Sequence, residues 1–151
     1  MSRAFIKEDA GSDDLPERVP PSGPNYVTPE GLSSLRGKVH ALESRGSAIS
    51  KEELHELRYW RLRLGGAVLV DNSQKPPQDI RFGALVEASD ADGRTRRLRI
   101  VGQDEAEENG EKISWDSVQA RAMLGLRPGD AVPGSEDGEV SALRILSVSY
   151  P

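Results

Sequence analysis

Apolar residues recur at helical spacing in two stretches of the first half of the chain. Their intervals of three, four or seven place them on one narrow seam per helix, as in a short coiled coil. Thr28 before Pro29 predicts the start of the first helix, and Ser50 with Glu53 has the spacing of a capping box at the start of the second. Because only residues 46–49 join them, the helices are predicted to form an antiparallel hairpin. The seam consists of Leu32, Leu35, Val39, Leu42, Leu54, Leu57 and Leu64.

From residue 80 onward the apolar pattern changes to a period of two, which predicts strands. A hairpin turn is indicated at residues 90–93, where aspartates precede a glycine. On the returning strand, arginines alternate with Leu98 and Ile100, so one face is expected to be buried and the other polar. Further strands are predicted at 113–115, 131–132 and 140–150.

The second half also contains one predicted helix and one long loop. Residues 103–111 are too polar and acidic for a strand and are predicted to be a loop. Ser117 is predicted to cap a helix over 118–124 that ends at Gly125. Its side chains expected to face the sheet are Val118, Ala122 and Met123. The predicted fold class is therefore α+β, with an antiparallel sheet of roughly four or five strands crossed by one helix.

Composition divides the chain into four predicted segments. Residues 1–26 are rich in proline, glycine and aspartate and are interpreted as a disordered tail. Residues 27–70 form the helical hairpin, 71–79 a linker, and 80–151 the C-terminal domain. Each hairpin arm of about 15 residues spans only about 22 Å, so the stability of the hairpin is expected to depend on packing against the following domain. The contact is expected through Val68, Leu69 and Val70.

The charge and composition exclude several classes of protein. The 151 residues carry a net charge of -5 and contain no cysteine and two histidines, so a disulfide framework, a thiolate metal site and a cysteine nucleophile are excluded. No apolar run approaches the ~18 residues of a membrane span, and the N-terminus lacks a secretory signal. We therefore expect a cytoplasmic protein that does not enter membranes. Only residues 27–70 are net basic, with seven basic and five acidic side chains.

The residues contain no nucleophile–base constellation and no phosphate-binding loop. The acidic run at residues 104–108 is interpreted as a solvated loop or as a site for a metal or a basic partner, with the further alternative that Asp104 hydrogen-bonds local backbone. The basic face of the hairpin likewise is either a solvated helix surface or a surface that contacts nascent RNA or DNA. Its candidate nucleic-acid contacts are Lys38, Arg45, Lys51 and Arg58, with Arg36, Arg61 and Arg63 on the same face.

A longer motif covers residues 98–130. It reads R-I-V-G-Q-D-E-A at 99–106, I-S-W-D-S-V-Q-A-R-A-M-L-G at 113–125, and G-D at 129–130. This stretch resembles the C-terminal domain of the bacterial Gre transcription elongation factors, whose pattern is roughly R-I-V-G-x-D-E-A, I-S-x-x-S-P-x-A-R-A-L-L-G and G-D. The opening M-S-R-A-F and residues 24–32 resemble GreB-type members of that family.

The resemblance implies an FKBP-like C-terminal domain that docks on RNA polymerase near its secondary channel. The family's docking loop corresponds to Trp115, Asp116, Ser117 and Val118, with Val118 replacing a proline. Trp115 is either an exposed docking anchor or a core residue that fills the gap between sheet and helix. The implied protein is an accessory factor rather than an enzyme, has no cofactor of its own, and is expected to be a monomer.

The hairpin tip decides between two versions of this function. In the family, acidic tip residues help hold a polymerase Mg²⁺ so that backtracked RNA is cleaved, and Glu52 and Glu53 are the candidates here. The family's tip motif, resembling G-D-L-x-E-N-x-E-Y, is absent, and Glu53 is also explained as a helix cap. The alternative is a short-hairpin regulator, similar to Rnk-type proteins, that binds the polymerase without stimulating cleavage. Prolyl isomerase activity is a remote third function, because the domain is poor in aromatic residues.

Overall fold

The computed structural model describes residues 15–151, and the first fourteen residues of the predicted tail lie outside this range. Within the described range there are three α helices and seven strands. The first two helices are α1, Pro29–Glu43, and α2, Lys51–Gly65. A short 3-10 turn, Gly46–Ala48, lies between them. Both predicted helix starts are confirmed, because Thr28 accepts from the backbone of Gly31 and the Ser50–Glu53 capping box is complete.

The predicted seam is only partly buried where α1 and α2 pack together. Leu35, Val39 and Leu57 are buried. Leu54 remains exposed, and Arg61 bridges the helices through an ion pair with Glu43 at 2.8 Å. The two helices therefore share a small apolar centre with a polar border, which agrees with the expectation that they bury little area.

Two short strands, absent from the sequence prediction, join the ends of the helix pair. β1, Asn25–Val27, pairs in parallel with β2, Ala67–Leu69. Asn25 and Tyr26 thus belong to a strand, although composition assigned them to the tail. Val68 and Leu69 were expected to pack on the following domain, and this was wrong. Their backbone pairs with β1 and their side chains are about half exposed, at 46% and 52%.

The second half contains a five-stranded sheet in the order β5-β4-β3-β7-β6. The sheet begins five residues later than the period-two pattern indicated, because residue 80 lies in a loop. The strands are β3, Leu85–Asp90; β4, Thr95–Val101; β5, Lys112–Ser114; β6, Ala131–Val132; and β7, Leu143–Ser149. The prediction of a wholly antiparallel sheet was wrong, since β4 and β5 are parallel. The loop over residues 102–111 carries the chain back beside Arg99, so β5 runs in the same direction as β4 and pairs with its last three residues.

The third helix, α3, Val118–Met123, supplies Ala120 and Met123 to the buried core between helix and sheet. Val118 was expected to face the sheet, and this was wrong. It is 46% exposed, because the first residue after the cap points away from the strands. In β7, Leu146 is exposed beside buried Ile145, since a register shift adds one residue at that point. The α+β class is confirmed.

Candidate docking loop and helix tip

Ser117 shapes the loop that precedes α3. Its hydroxyl donates to the carbonyl oxygen of Ser114 at 2.7 Å and accepts from the backbone N–H of Ala120 at 3.2 Å. The first contact closes the turn after β5, and the second caps α3 as the sequence predicted. Ser117 therefore holds the loop in shape.

Asp116 gives the loop a fixed negative charge at its surface. It accepts hydrogen bonds from Ser114 Oγ and, at 2.9 Å, from Gln103 Nε2. Partial burial alone would raise the pKa of this carboxyl, but the hydrogen bonds from Ser114 and Gln103 outweigh burial and hold the pKa below its usual value. Asp116 is therefore ionised at neutral pH and held in one orientation.

Trp115 packs inward. Its ring meets Tyr26 edge-on with 5.0 Å between ring centroids, and it borders the core of the sheet and α3. Its indole N–H is buried and has no hydrogen-bond partner among the described residues. Between the two interpretations of Trp115, the contacts favour a packing residue that fixes β1 to the docking loop. Val118 is the apolar side chain of this loop that faces solvent.

Arg63 joins the helix pair to the C-terminal domain. Its side chain is 4% exposed and forms an ion pair with Asp104, with 2.6 Å between Nε and Oδ2. It also donates to Asn25 Oδ1 at 2.8 Å and to Gln103 Oε1 at 2.9 Å. A buried guanidinium needs several acceptors, and three residues from two separate segments supply them here.

Glu105 forms the second link of the same junction. Its carboxylate accepts from the Thr28 hydroxyl at 2.5 Å and from the backbone N–H of Gly102 at 3.2 Å. The acidic run was interpreted as a solvated loop or as a site for a metal or a basic partner. Neither applies to Asp104 and Glu105, which bind the start of α1 and the end of α2. No group of three potential metal-ligating side chains occurs within residues 15–151.

A chain of hydrogen bonds connects the base of α2 to the docking loop. Arg63 donates to Gln103, and Gln103 donates in turn to Asp116. Sequence reasoning missed Arg63, since arginine on a helix with glutamate neighbours is usually solvated. The one signal available was its spacing of four residues from Tyr59, which places the two side chains on the same face of α2.

At the tip of the helix pair, Glu53 is committed to local contacts. Its carboxylate accepts from the backbone N–H of Ser50 at 3.0 Å and lies 3.3 Å from Arg45. The hydrogen bond from Ser50 and, after it, the charge of Arg45 outweigh the effect of burial and hold the pKa of Glu53 below its usual value. Residues 44–50, which turn between the helices, contain no carboxylate. Glu52 is exposed in the first turn of α2.

The predicted basic face is divided among several contacts. Lys38 lies 4.0 Å from the ring centroid of Trp60, Arg45 pairs with Glu53, and Arg58 approaches Glu17 at 3.6 Å. Lys51 is exposed at the start of α2. Arg63 had been assigned to this face, but it is buried and so does not belong to the surface.

In the described part of the chain, no helix has both the length and the apolar character needed to cross a bilayer.

Comparison with known proteins identifies the class of protein to which the chain belongs. Residues 75–150 match the family model described as "Transcription elongation factor, GreA/GreB, C-term". Two similar proteins are the transcription elongation factors GreB of Neisseria meningitidis serogroup A and of Pseudomonas aeruginosa. The first is 29% identical over 153 residues, covering 83% of this chain and 94% of that protein. The second is 32% identical over 130 residues, covering 69% and 77%.

Two solved structures also resemble the chain. A GreA/GreB elongation factor from Nitrosomonas europaea has 23% identity and a TM-score of 0.43, covering 85% of this chain and 100% of that one. The GreA factor homolog Gfh1 of Thermus thermophilus has 20% identity and a TM-score of 0.41, covering 83% and 99%. On the family match and the relatives, the chain belongs to the GreA/GreB family of transcription elongation factors.

Proposed function

We propose that this protein binds RNA polymerase near its secondary channel and modulates elongation without stimulating cleavage of backtracked transcripts. In this proposal residues 80–151 are the FKBP-like docking domain and α1 with α2 form the inserted hairpin. The protein acts as a cytoplasmic monomer with no cofactor, and any nuclease chemistry and its Mg²⁺ belong to the polymerase. Family membership supports the polymerase as partner, and the helix tip supports the absence of cleavage.

The observation that carries the second half of the proposal is the state of Glu53. A carboxylate that helps hold a metal ion must offer free oxygen lone pairs to it. Glu53 gives one oxygen to the backbone of Ser50 and has the other beside Arg45. Glu52 is left as the exposed carboxylate of the first helical turn, and one carboxylate is a poor Mg²⁺ site.

Length supports the same conclusion. Each of α1 and α2 contains 15 residues. At 1.5 Å per residue, the pair projects about 22 Å from its base. A short projection of this kind occupies a channel entrance and keeps the tip away from a deeply placed reaction centre.

For docking, we propose a surface formed by the solvent-facing side chains of the loop, Asp116 and Val118. Trp115 and Ser117 support this surface from below. Val118→Arg is expected to weaken polymerase binding by more than tenfold, about 1.4 kcal/mol or more, because a charged side chain replaces an apolar contact at the centre of the surface. The helix should form unchanged, since Val118 is 46% exposed.

The docking test measures binding to core RNA polymerase by surface plasmon resonance, with circular dichroism as the check on folding. Glu108→Ala, an exposed charge change on the neighbouring loop, is the matched control and should bind as the wild type does. Equal affinity of Val118→Arg and the wild type would place the docking surface elsewhere. Trp115→Ala is expected to lower the melting temperature, which a purely exposed anchor would not do.

The cleavage test uses stalled, backtracked elongation complexes with and without the protein. We expect binding without faster transcript cleavage, and slower cleavage when a cleavage-active GreB protein must compete for the same complexes. The variant Glu52→Gln/Glu53→Gln removes both charges while glutamine preserves the capping box. Cleavage that the wild type stimulates and this variant does not would refute the proposal and restore Glu52 and Glu53 as working tip carboxylates.

A further inference from the structure

The described part of the N-terminal segment lies along α2, although composition predicted a disordered tail. Glu17 approaches two side chains of α2, with 3.0 Å to His55 Nδ1 and 3.6 Å to Arg58 Nε. Its neighbour Arg18 lies over the ring of Tyr59, 3.9 Å from the centroid, and pairs with Glu56 at 3.4 Å. We call residues 15–18 the strap.

The contacts that hold the strap are weak and exchangeable. Glu17 remains 60% exposed and Arg18 51%, and exposed ion pairs of this kind stabilise little. Val19, which follows the strap, is 84% exposed and adds no apolar anchor. The chain from Pro20 to Pro24 contains three prolines and a glycine and forms the connection to β1. The strap can therefore leave α2 while the rest of the fold stays intact.

The surface beneath the strap has an unmet hydrogen-bonding requirement. His55 Nδ1 is buried and lies close to Glu17, but the two are not aligned for a hydrogen bond, so the nitrogen has no hydrogen-bond partner within residues 15–151. Its charged neighbour Arg58 has a side chain that is 45% exposed. A more suitable anion in place of Glu17 would satisfy both groups.

The strap also presents a recognisable combination of groups. Glu17 places an anion between His55 and Arg58, and Arg18 places a flat, delocalised group on the face of Tyr59. Trp60 meets Tyr59 edge-on at 4.9 Å between centroids and carries the Lys38 ammonium over its own ring. An anion beside a planar stacking group is the chemistry of a nucleotide, and aromatic rings flanked by cations are the usual platform for single strands.

We propose that the strap covers, in cis, a binding surface for single-stranded nucleic acid formed by His55, Arg58, Tyr59 and Trp60. A phosphate would take the position of the Glu17 carboxylate, and a base would take that of the Arg18 guanidinium. The bound strap lowers the apparent affinity for the strand by competing with it. This inference does not depend on how the protein docks on the polymerase, since α2 and the docking loop are separate surfaces.

The test measures the anisotropy of a labelled oligouridylate titrated with the full chain at low and at higher salt. Glu17→Ala/Arg18→Ala, which releases the strap, is expected to bind about tenfold more tightly than the wild type if the strap is closed about nine tenths of the time. Its affinity should fall as salt rises. Adding Arg58→Ala to the released variant should return the affinity to the wild-type level or below.

The matched control is Arg97→Ala in the released background. Arg97 is an exposed cation on β4. Its replacement by alanine removes one positive charge, as Arg58→Ala does, but far from the strap, and should leave the tighter binding unchanged. Circular dichroism confirms that each variant is folded. Equal affinity of the released variant and the wild type would overturn the proposal. So would equal loss from Arg97→Ala and Arg58→Ala, which would indicate charge attraction without a site, or preference for polyglutamate over oligouridylate, which would indicate an acidic peptide as the ligand.

Discussion

Removing the Asp104 carboxylate should destabilise the junction between the helix pair and the C-terminal domain. The Asp104→Ala change leaves Arg63, whose side chain is 4% exposed, without its ionic partner. The guanidinium keeps the neutral oxygens of Asn25 and Gln103, at 2.8 and 2.9 Å, but its charge is then uncompensated. Tyr59 also loses its contact with Asp104, at 3.3 Å.

The expected loss in the free energy of unfolding is large for a single substitution. Breaking a buried ion pair from one side costs about 3–5 kcal/mol, whereas a small protein is stable by only about 5–15 kcal/mol in total. At roughly 2–4 °C per kcal/mol for a chain of this length, the melting temperature should fall by at least about 6 °C. Because the pair is buried, salt should change this difference little.

The measurement is thermal and urea unfolding followed by far-ultraviolet circular dichroism and by tryptophan fluorescence. Glu108→Ala provides the comparison, since it removes an exposed carboxylate from the same loop and should stay within about 0.5 kcal/mol of the wild type. A loss below about 1 kcal/mol for Asp104→Ala would refute the reasoning. It would mean that water or a shifted acceptor compensates Arg63 at no great cost, and that the junction is not what holds the helix pair.

Three further predictions concern the junction, the middle of α1 and the docking loop. Gly102→Ala should destabilise the fold by about 1–3 kcal/mol, because the new methyl group would collide with the backbone carbonyl oxygen of Tyr26. Gly37→Ala, in the open middle of α1, should instead stabilise it by about 0.5–1 kcal/mol, and chemical denaturation compares the two. The pKa of Asp116 is lowered in the folded protein, so its carboxylate should stabilise the loop at any pH above 3.8, the ordinary pKa of the group. That stabilisation should be lost as the pH falls through the lower pKa of the folded state. The melting-temperature difference between wild type and Asp116→Asn should therefore be constant near neutral pH and shrink below about pH 4; a difference that grows there would show that the sign is wrong.

Helix starts and turns could be predicted because they depend on neighbouring residues. The Thr28 and Ser50 caps each join groups three residues apart, and the glycine-ended turn after β3 and the Ser117 cap are equally local. The motif over residues 98–130 similarly identified the family, since it is read directly from the order of residues. These features therefore do not depend on how remote parts of the chain pack against them.

Long-range pairings could not be predicted from the sequence in this way. The partners of Arg63 lie about 40 positions away in either direction, and the parallel pairing of β5 depends on where the loop after β4 returns the chain. A tryptophan at position 115 is compatible with a buried or an exposed role, and only the packing of Tyr26 from β1 against its ring decides between the two. The sequence by itself thus determined the helices, most strands and the family. Tertiary structure decided which charges are buried in the junction, which loop residues face solvent and where the strap lies, because those outcomes depend on distances between segments that are remote along the chain.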